Sequence, residues 1–172
     1  MPEFKGWICD TCGEIIQGKE DGWVEWIEFP EGGHSFQEYI ESQRKGGDIK
    51  LRGRNLRLVH HYPASHRTSK YRCQFDQDYE RRKDGGEVGD SSLESFLGPD
   101  GLMRFLDFIA ENRFPNVQEV LEMIKRLLIP GYEHARLHFD SAISEGVIEP
   151  NPFKNYSQSE IDAVLDYVSS RG

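Results

Sequence analysis

Cys9 and Cys12 stand three positions apart in the string Trp7-Ile8-Cys9-Asp10-Thr11-Cys12-Gly13-Glu14-Ile15-Ile16. Two thiolates on one tight turn can grip a single metal ion. Gly13 suits a backbone turned so that amide groups point at the sulfurs, and the apolar pairs on either side suit two short strands. Cys73 is the one remaining cysteine, so a tetrahedral site needs a histidine or a carboxylate as its fourth ligand. The segment Leu56-Arg57-Leu58-Val59 reads as a strand and ends on His60 and His61. Alternation puts His60 on the side of Leu56 and Leu58, toward the interior, and His61 on the opposite side. The expected ligands are Cys9, Cys12, His60 and Cys73, with His61 as the alternative to His60, and the ion is zinc. Three thiolates and an imidazole leave no position for water or substrate. Such a closed site is structural, contributing on the order of 10 kcal/mol of folding free energy in small zinc modules. Two other readings of the cysteines compete with it. A redox dithiol would normally sit in a βαβ pattern, which is missing around Cys9 and Cys12. Alternatively, all three cysteines could be small buried hydrophobes.

Other groups offer weaker chemistry. His134 and His138 are four apart on an expected helix and would share a face, which is the basis of an alternative reading as a metal-dependent hydrolase. Ala135 follows His134, so the zincin pattern His-Glu-x-x-His is not formed, and edge histidines are the plainer account. Asp76, Asp78 and Glu80 alternate along a strand-like stretch, as a solvated acidic face would. No Gly-x-Ser-x-Gly elbow occurs, no phosphate loop occurs, and no cysteine is left over for a nucleophile pair. No catalytic residues are assigned, and the balance leans away from an enzyme.

The cysteine string resembles the first knuckle of rubredoxin and zinc-ribbon proteins over residues 7–16. The elements needed to position it follow in order. Trp23 to Phe29 reads as a strand stopped by Pro30-Glu31-Gly32-Gly33. Ser35 with Glu38 forms a capping-box pattern for a short helix closed by Gly46-Gly47. Ile49 to Arg52 and Leu56 to His61 suit a hairpin turning at Gly53-Arg54-Asn55, whose second strand delivers His60. The expected architecture is α+β: a small zinc-stapled, β-rich unit over residues 1–83, a hinge over 84–90, and a helical unit over 91–172.

In that second unit Leu102, Phe105, Leu106 and Ile109 mark one helix, and Asn116 caps another carrying Val117, Val120, Leu121, Ile124 and Leu128. Tyr132, Ala135, Phe139, Ala142 and Ile143 mark a third, followed by Gly146 and a short strand at Val147-Ile148. Ser157 with Glu160 opens a last helix. Three helices followed by Glu145-Gly146-Val147-Ile148 resemble the core of winged-helix domains over residues 100–150. Two features depart from a DNA reader of that kind. The segment after Ile148 is short and proline-rich for a wing, and Glu133, Asp140 and Glu145 beside Arg136 would repel phosphate. The resemblance therefore implies a protein-binding or structural unit.

The net charge of −9 hides a division. Residues 1–41 carry −8 and residues 42–83 carry +8. If the basic residues share a face, they could meet an acidic partner or nucleic acid. Arg52, Arg54, Arg57, Arg67 and Arg72 are the expected contacts. Alternatively, the block neutralises the acidic first segment within one fold. Aromatic and basic residues also interleave around Tyr62 to Arg82, as on surfaces that stack bases. The leading expectation is a non-catalytic zinc-binding interaction or adaptor module with a protein partner, and a nucleic-acid-binding regulator is the alternative.

The chain's 172 residues, 37% of them hydrophobic, suffice for a packed core. No run approaches the roughly 18 apolar residues of a membrane span, and the start lacks the features of a signal peptide. A cytoplasmic address and no membrane partner are expected. Three cysteines with metal-like spacing also argue against a secreted disulfide scaffold.

Overall fold

Trp23, Val24, Trp26, Ile27 and Phe29 give the strand Gly22–Pro30 (β3) the aromatic and β-branched content that fits a pleated, buried surface. A computed structural model of the chain describes residues 5–65 and 72–172. In it β3 is the central strand of an antiparallel sheet, between Leu51–His60 (β4) and Glu87–Ser92 (β5). The knuckle precedes it as a two-stranded ladder, Trp7–Ile8 (β1) against Ile15–Ile16 (β2). The architecture is α+β, an antiparallel-sheet region followed by a mostly helical part.

The expected hairpin at Gly53-Arg54-Asn55 is instead a bulge inside one continuous strand. Glu25 pairs with Arg57 and Ile27 with Arg54, so β4 carries one residue more than β3 across this stretch. Asn55 takes up the extra length with φ of 58°, a conformation that asparagine tolerates better than most residues. The glycine and acid stretch over 84–90, expected as a hinge, contains the start of β5. Val88 and Gly89 lie opposite Ile27 and Trp26, and the Val88 amide donates to Gln77 Oε1 at 2.8 Å. The alternating acids Asp76, Asp78 and Glu80 belong to no strand. Asp76 caps the helix Gln77–Asp84 (α2) by accepting from the Tyr79 amide, and Glu80 is buried.

Both capping boxes form, Ser35 with Glu38 at Phe36–Arg44 (α1) and Ser157 with Glu160 at Gln158–Ser169 (α7). Asn116 caps Val117–Leu128 (α4). The preceding helix, Gly98–Ala110 (α3), starts against the turn at Leu93–Phe96. A Cβ at Gly101 would lie 2.1 Å from the Phe96 carbonyl, so only glycine allows this approach. The rings of Phe96, Phe108 and Phe114 surround Trp26, which fixes one face of the sheet against the helices.

The single helix expected from Tyr132 to Ile143 is two short ones, Tyr132–Ala135 (α5) and Phe139–Ser144 (α6). His138 leaves helical geometry at φ −121°, and Tyr132 meets Phe139 edge to face at 5.5 Å. These rings join Ile161, Val164 and Leu165 of α7 in a second core cluster. Val147-Ile148 forms bends, and among the described residues no strand follows Ser92. The strand that the winged-helix resemblance predicts is therefore not formed. No helix among the described residues is long and apolar enough to cross a membrane.

Candidate metal centre

The knuckle turn is closed by two backbone hydrogen bonds, Cys9 N–H to Glu14 O and Gly13 N–H to Cys9 O, each 2.9 Å. Gly13 makes the reversal at φ of 75°. The Asp10 amide donates to Leu58 O at 2.8 Å, and Asp10 Oδ2 accepts from the Leu58 amide at the same distance. This clasp fixes the turn beside β4, two residues from His60. Cys73 is anchored from the other side, where its carbonyl accepts from Thr11 Oγ1 at 2.6 Å.

Cys9, Cys12, His60 and Cys73 converge as a result. Their ligand atoms all lie within 4.8 Å of one another, and Cys9, His60 and Cys73 are buried. His60 Nδ1 is 3.4 Å from Cys12 Sγ and 3.9 Å from Cys73 Sγ. A tetrahedral zinc with Zn–S near 2.3 Å and Zn–N near 2.0 Å needs sulfur and nitrogen about 3.5 Å apart. The donor set fits that ion in type, number and spacing. His60 Nε2 lies 3.2 Å from the Ile15 carbonyl, which can only accept, so this nitrogen carries the proton and Nδ1 keeps its lone pair toward the sulfurs. Ser65 Oγ lies 2.9 Å from Cys73 Sγ, placed to donate to a thiolate. Burial pushes the Cys12 thiol up to about 12, against the hydrogen bond from the Glu14 amide, and the sulfurs of Cys9 and Cys73 push it the same way. Crowded thiols of this kind ionise when a cation is there to hold them.

His61 is not part of the group. Its ring stacks on Trp23, centroids 4.6 Å apart and 14° from parallel.

No family model, curated protein or solved structure matches the chain.

Four of the five expected partner-binding arginines are held within the chain. Arg52 donates to Glu31 at 2.6 Å and to the carbonyls of Glu111 and Asn112, each at 3.1 Å. Arg54 pairs with Asp84 and lies over the Phe29 ring. Arg57 places Nε and Nη2 at 2.8 and 2.6 Å from one oxygen of Glu25, with its guanidinium 3.4 Å from the Phe75 ring centre. Arg72 donates to Ser65 O at 3.1 Å and covers the Tyr62 ring. Arg67 lies outside the described residues. Arg52, Arg54 and Arg57 thus meet acids inside the fold.

His134 lies in α5 and His138 in the break before α6, and His134 Nε2 lies 3.2 Å from Gly6 O. Among the described residues, Cys9, Cys12, His60 and Cys73 are the one group with metal-ligating geometry.

Sequence reasoning missed the residues that tie the knuckle to the helices. Arg126 of α4 donates Nη1 to Asp10 Oδ2 at 2.8 Å and Nη2 to the Ile8 carbonyl at 3.0 Å. Its Nε and Nη2 meet the two oxygens of Glu133 at 2.7 and 2.9 Å. Glu133 also accepts from the Ile8 amide at 2.9 Å and from Arg136 Nε at 2.8 Å. Glu133 is therefore buried, whereas the sequence places it on an exposed helix face. Burial raises its carboxyl, but the guanidiniums of Arg126 and Arg136 outweigh it and hold the group below the ordinary glutamate range. The signal for Arg126 was a charge set among the buried positions Val120 and Met123 of α4.

Proposed function

We propose that the protein is a non-catalytic interaction module whose knuckle is locked by one structural zinc. The observation that carries the reading is the convergence of Cys9, Cys12, His60 and Cys73, which offers four ligand atoms, the number and kind that a closed tetrahedral site takes. Zinc held this way has no open position for substrate, so its contribution is to folding. The ion would join three separate pieces of sequence: the knuckle, the end of β4 and the segment around Cys73. Its likeness to a zinc-ribbon knuckle is local to residues 7–16.

The internal pairing of Arg52, Arg54 and Arg57 gives the basic block a role in neutralising Glu31, Asp84 and Glu25, and weakens the case for phosphate contacts. We accordingly assign partner contact to the helical part. The test of the metal role is unfolding by chelator, followed by far-ultraviolet circular dichroism. A picolinate or phenanthroline chelator should remove zinc with cooperative loss of the sheet signal, and added zinc should restore it. Complete zinc removal with an unchanged spectrum and melting temperature would overturn the structural role.

A further inference from the structure

The helices α3 and α4 are successive, packed on one another and joined by residues 111–116. Each buries one face in the core, through Gly101 and Phe105 on α3 and through Val120, Met123 and Arg126 on α4. A second apolar face remains outside. Leu102, Leu106 and Ile109 follow one another at intervals of four and three residues along α3, with Met103 beside them, and Val117 and Leu121 repeat at four on α4. These six side chains are between 36% and 58% exposed, and they make up nearly half of the thirteen exposed large hydrophobics among the described residues. Scattered apolar side chains on a surface need no explanation, but a cluster on adjacent helices marks a contact site.

The charges around this face indicate what covers it. Asp100, Asp107 and Glu111 are exposed and form no ion pair among the described residues. The two arginines of the same stretch are turned away. Arg104 donates to Ser91 and Ser95 Oγ at 3.0 and 2.6 Å and lies over Phe96, and Arg113 pairs with Glu28. Arg52 reaches the Glu111 carbonyl but is paired with Glu31. The rim along α3 is thus acidic on balance, which repels anionic lipid and nucleic acid and favours a basic protein segment.

Size narrows the occupant further. The six side chains expose an area on the order of 500 Å², at the upper end for the largest apolar patch of a monomer. A stable dimer usually needs about 800 Å² from each partner. Leu102 to Ile109 spans about 10 Å of helix axis, a length that suits one short amphipathic helix laid across two others.

We propose that the apolar face of α3 and α4 is the docking site for a basic amphipathic helix of a partner protein, its leucine-like face on Leu106 and its lysines or arginines beside Asp107 and Glu111. The inference rests on the reading of the protein as an interaction module and gives that module its surface.

The probe is a synthetic fourteen-residue leucine–lysine peptide with leucines at helical spacing, labelled for fluorescence anisotropy and titrated with the full zinc-loaded chain. A leucine–glutamate peptide of the same pattern is the control. The lysine peptide should bind saturably and perturb amide resonances between Leu102 and Leu121, while the glutamate peptide should not. Met103→Gln with Leu106→Gln leaves net charge unchanged and should weaken binding by roughly tenfold or more. Asp107→Asn with Glu111→Gln should weaken it by a few-fold and flatten its salt dependence. Absence of binding, equal binding of both peptides, or a glutamine variant that binds as the native chain does would each overturn the proposal. So would sedimentation of the native chain as a dimer that these glutamines dissociate, since the occupant would then be a second copy. Zinc content measured on the same samples separates the two claims: a zinc-loaded chain that ignores the peptide defeats the docking site alone, and a zinc-free chain that binds it defeats the metal reading alone.

Discussion

Arg126 Nη1 lies 2.8 Å from Asp10 Oδ2, linking a helix residue to the turn between Cys9 and Cys12. The same guanidinium is paired with Glu133, so one cation serves two carboxylates across three elements. Removing one partner from a buried pair leaves the other charge uncompensated, which costs more than the pair contributes when intact. Arg126→Met should lower the free energy of unfolding in urea by about 3–5 kcal/mol. Adding Glu133→Gln to it should cost less than Glu133→Gln costs alone, because the pairing of Glu133 with Arg126 is already lost while Arg136 is its remaining cation. Strictly additive losses in the double-mutant cycle would contradict a shared network.

The adjacent histidines His60 and His61 should separate cleanly in function. His60→Ala removes the nitrogen donor next to Cys12 and Cys73 and should abolish stoichiometric zinc. His61→Ala should keep the zinc and alter tryptophan fluorescence through loss of the stack on Trp23. Zinc retained without His60 and lost without His61 would reverse the assignment.

Glu25 is fully buried, and one of its oxygens has no hydrogen-bond partner among the described residues. Burial outweighs Arg57 and the Phe75 amide and pushes its carboxyl from an ordinary 4.5 up to about 7. Between those two values the folded chain binds more protons at this site than the unfolded chain does. Its contribution to stability therefore falls as pH rises through the window and levels off above it. Over the whole window the loss is roughly 3 kcal/mol. The effect is isolated by comparing the native chain with Glu25→Gln, because every other ionisable group is common to both. Relative to the variant, the native chain should lose stability from about pH 5 to 7. A gain over that range would contradict a raised Glu25.

The grouping of Cys9, Cys12, His60 and Cys73 was legible because its signals are local. Cys9 and Cys12 announce a turn, and period-two alternation alone separates His60 from His61. Capping at Ser35, Asn116 and Ser157 was equally readable, since each side chain bonds to an amide within three residues. What escaped was decided by distant contacts. Gly53-Arg54-Asn55 has the composition of a turn, yet pairing with β3 on either side stretches it into a bulged strand. Glu87 to Asp90 lacks apolar periodicity, but β3 offers its free edge and the stretch is drawn into the sheet. Arg126 and Asp10 are 116 positions apart, and nothing near either residue in sequence indicates the other.

Metal content per chain, measured by plasma mass spectrometry on the purified native protein and on Cys73→Ser, tests the central claim most directly. One zinc per native chain, absent from the variant, is the predicted result. A native chain without zinc, or one whose metal survives loss of Cys73, would contradict a closed site built from Cys9, Cys12, His60 and Cys73.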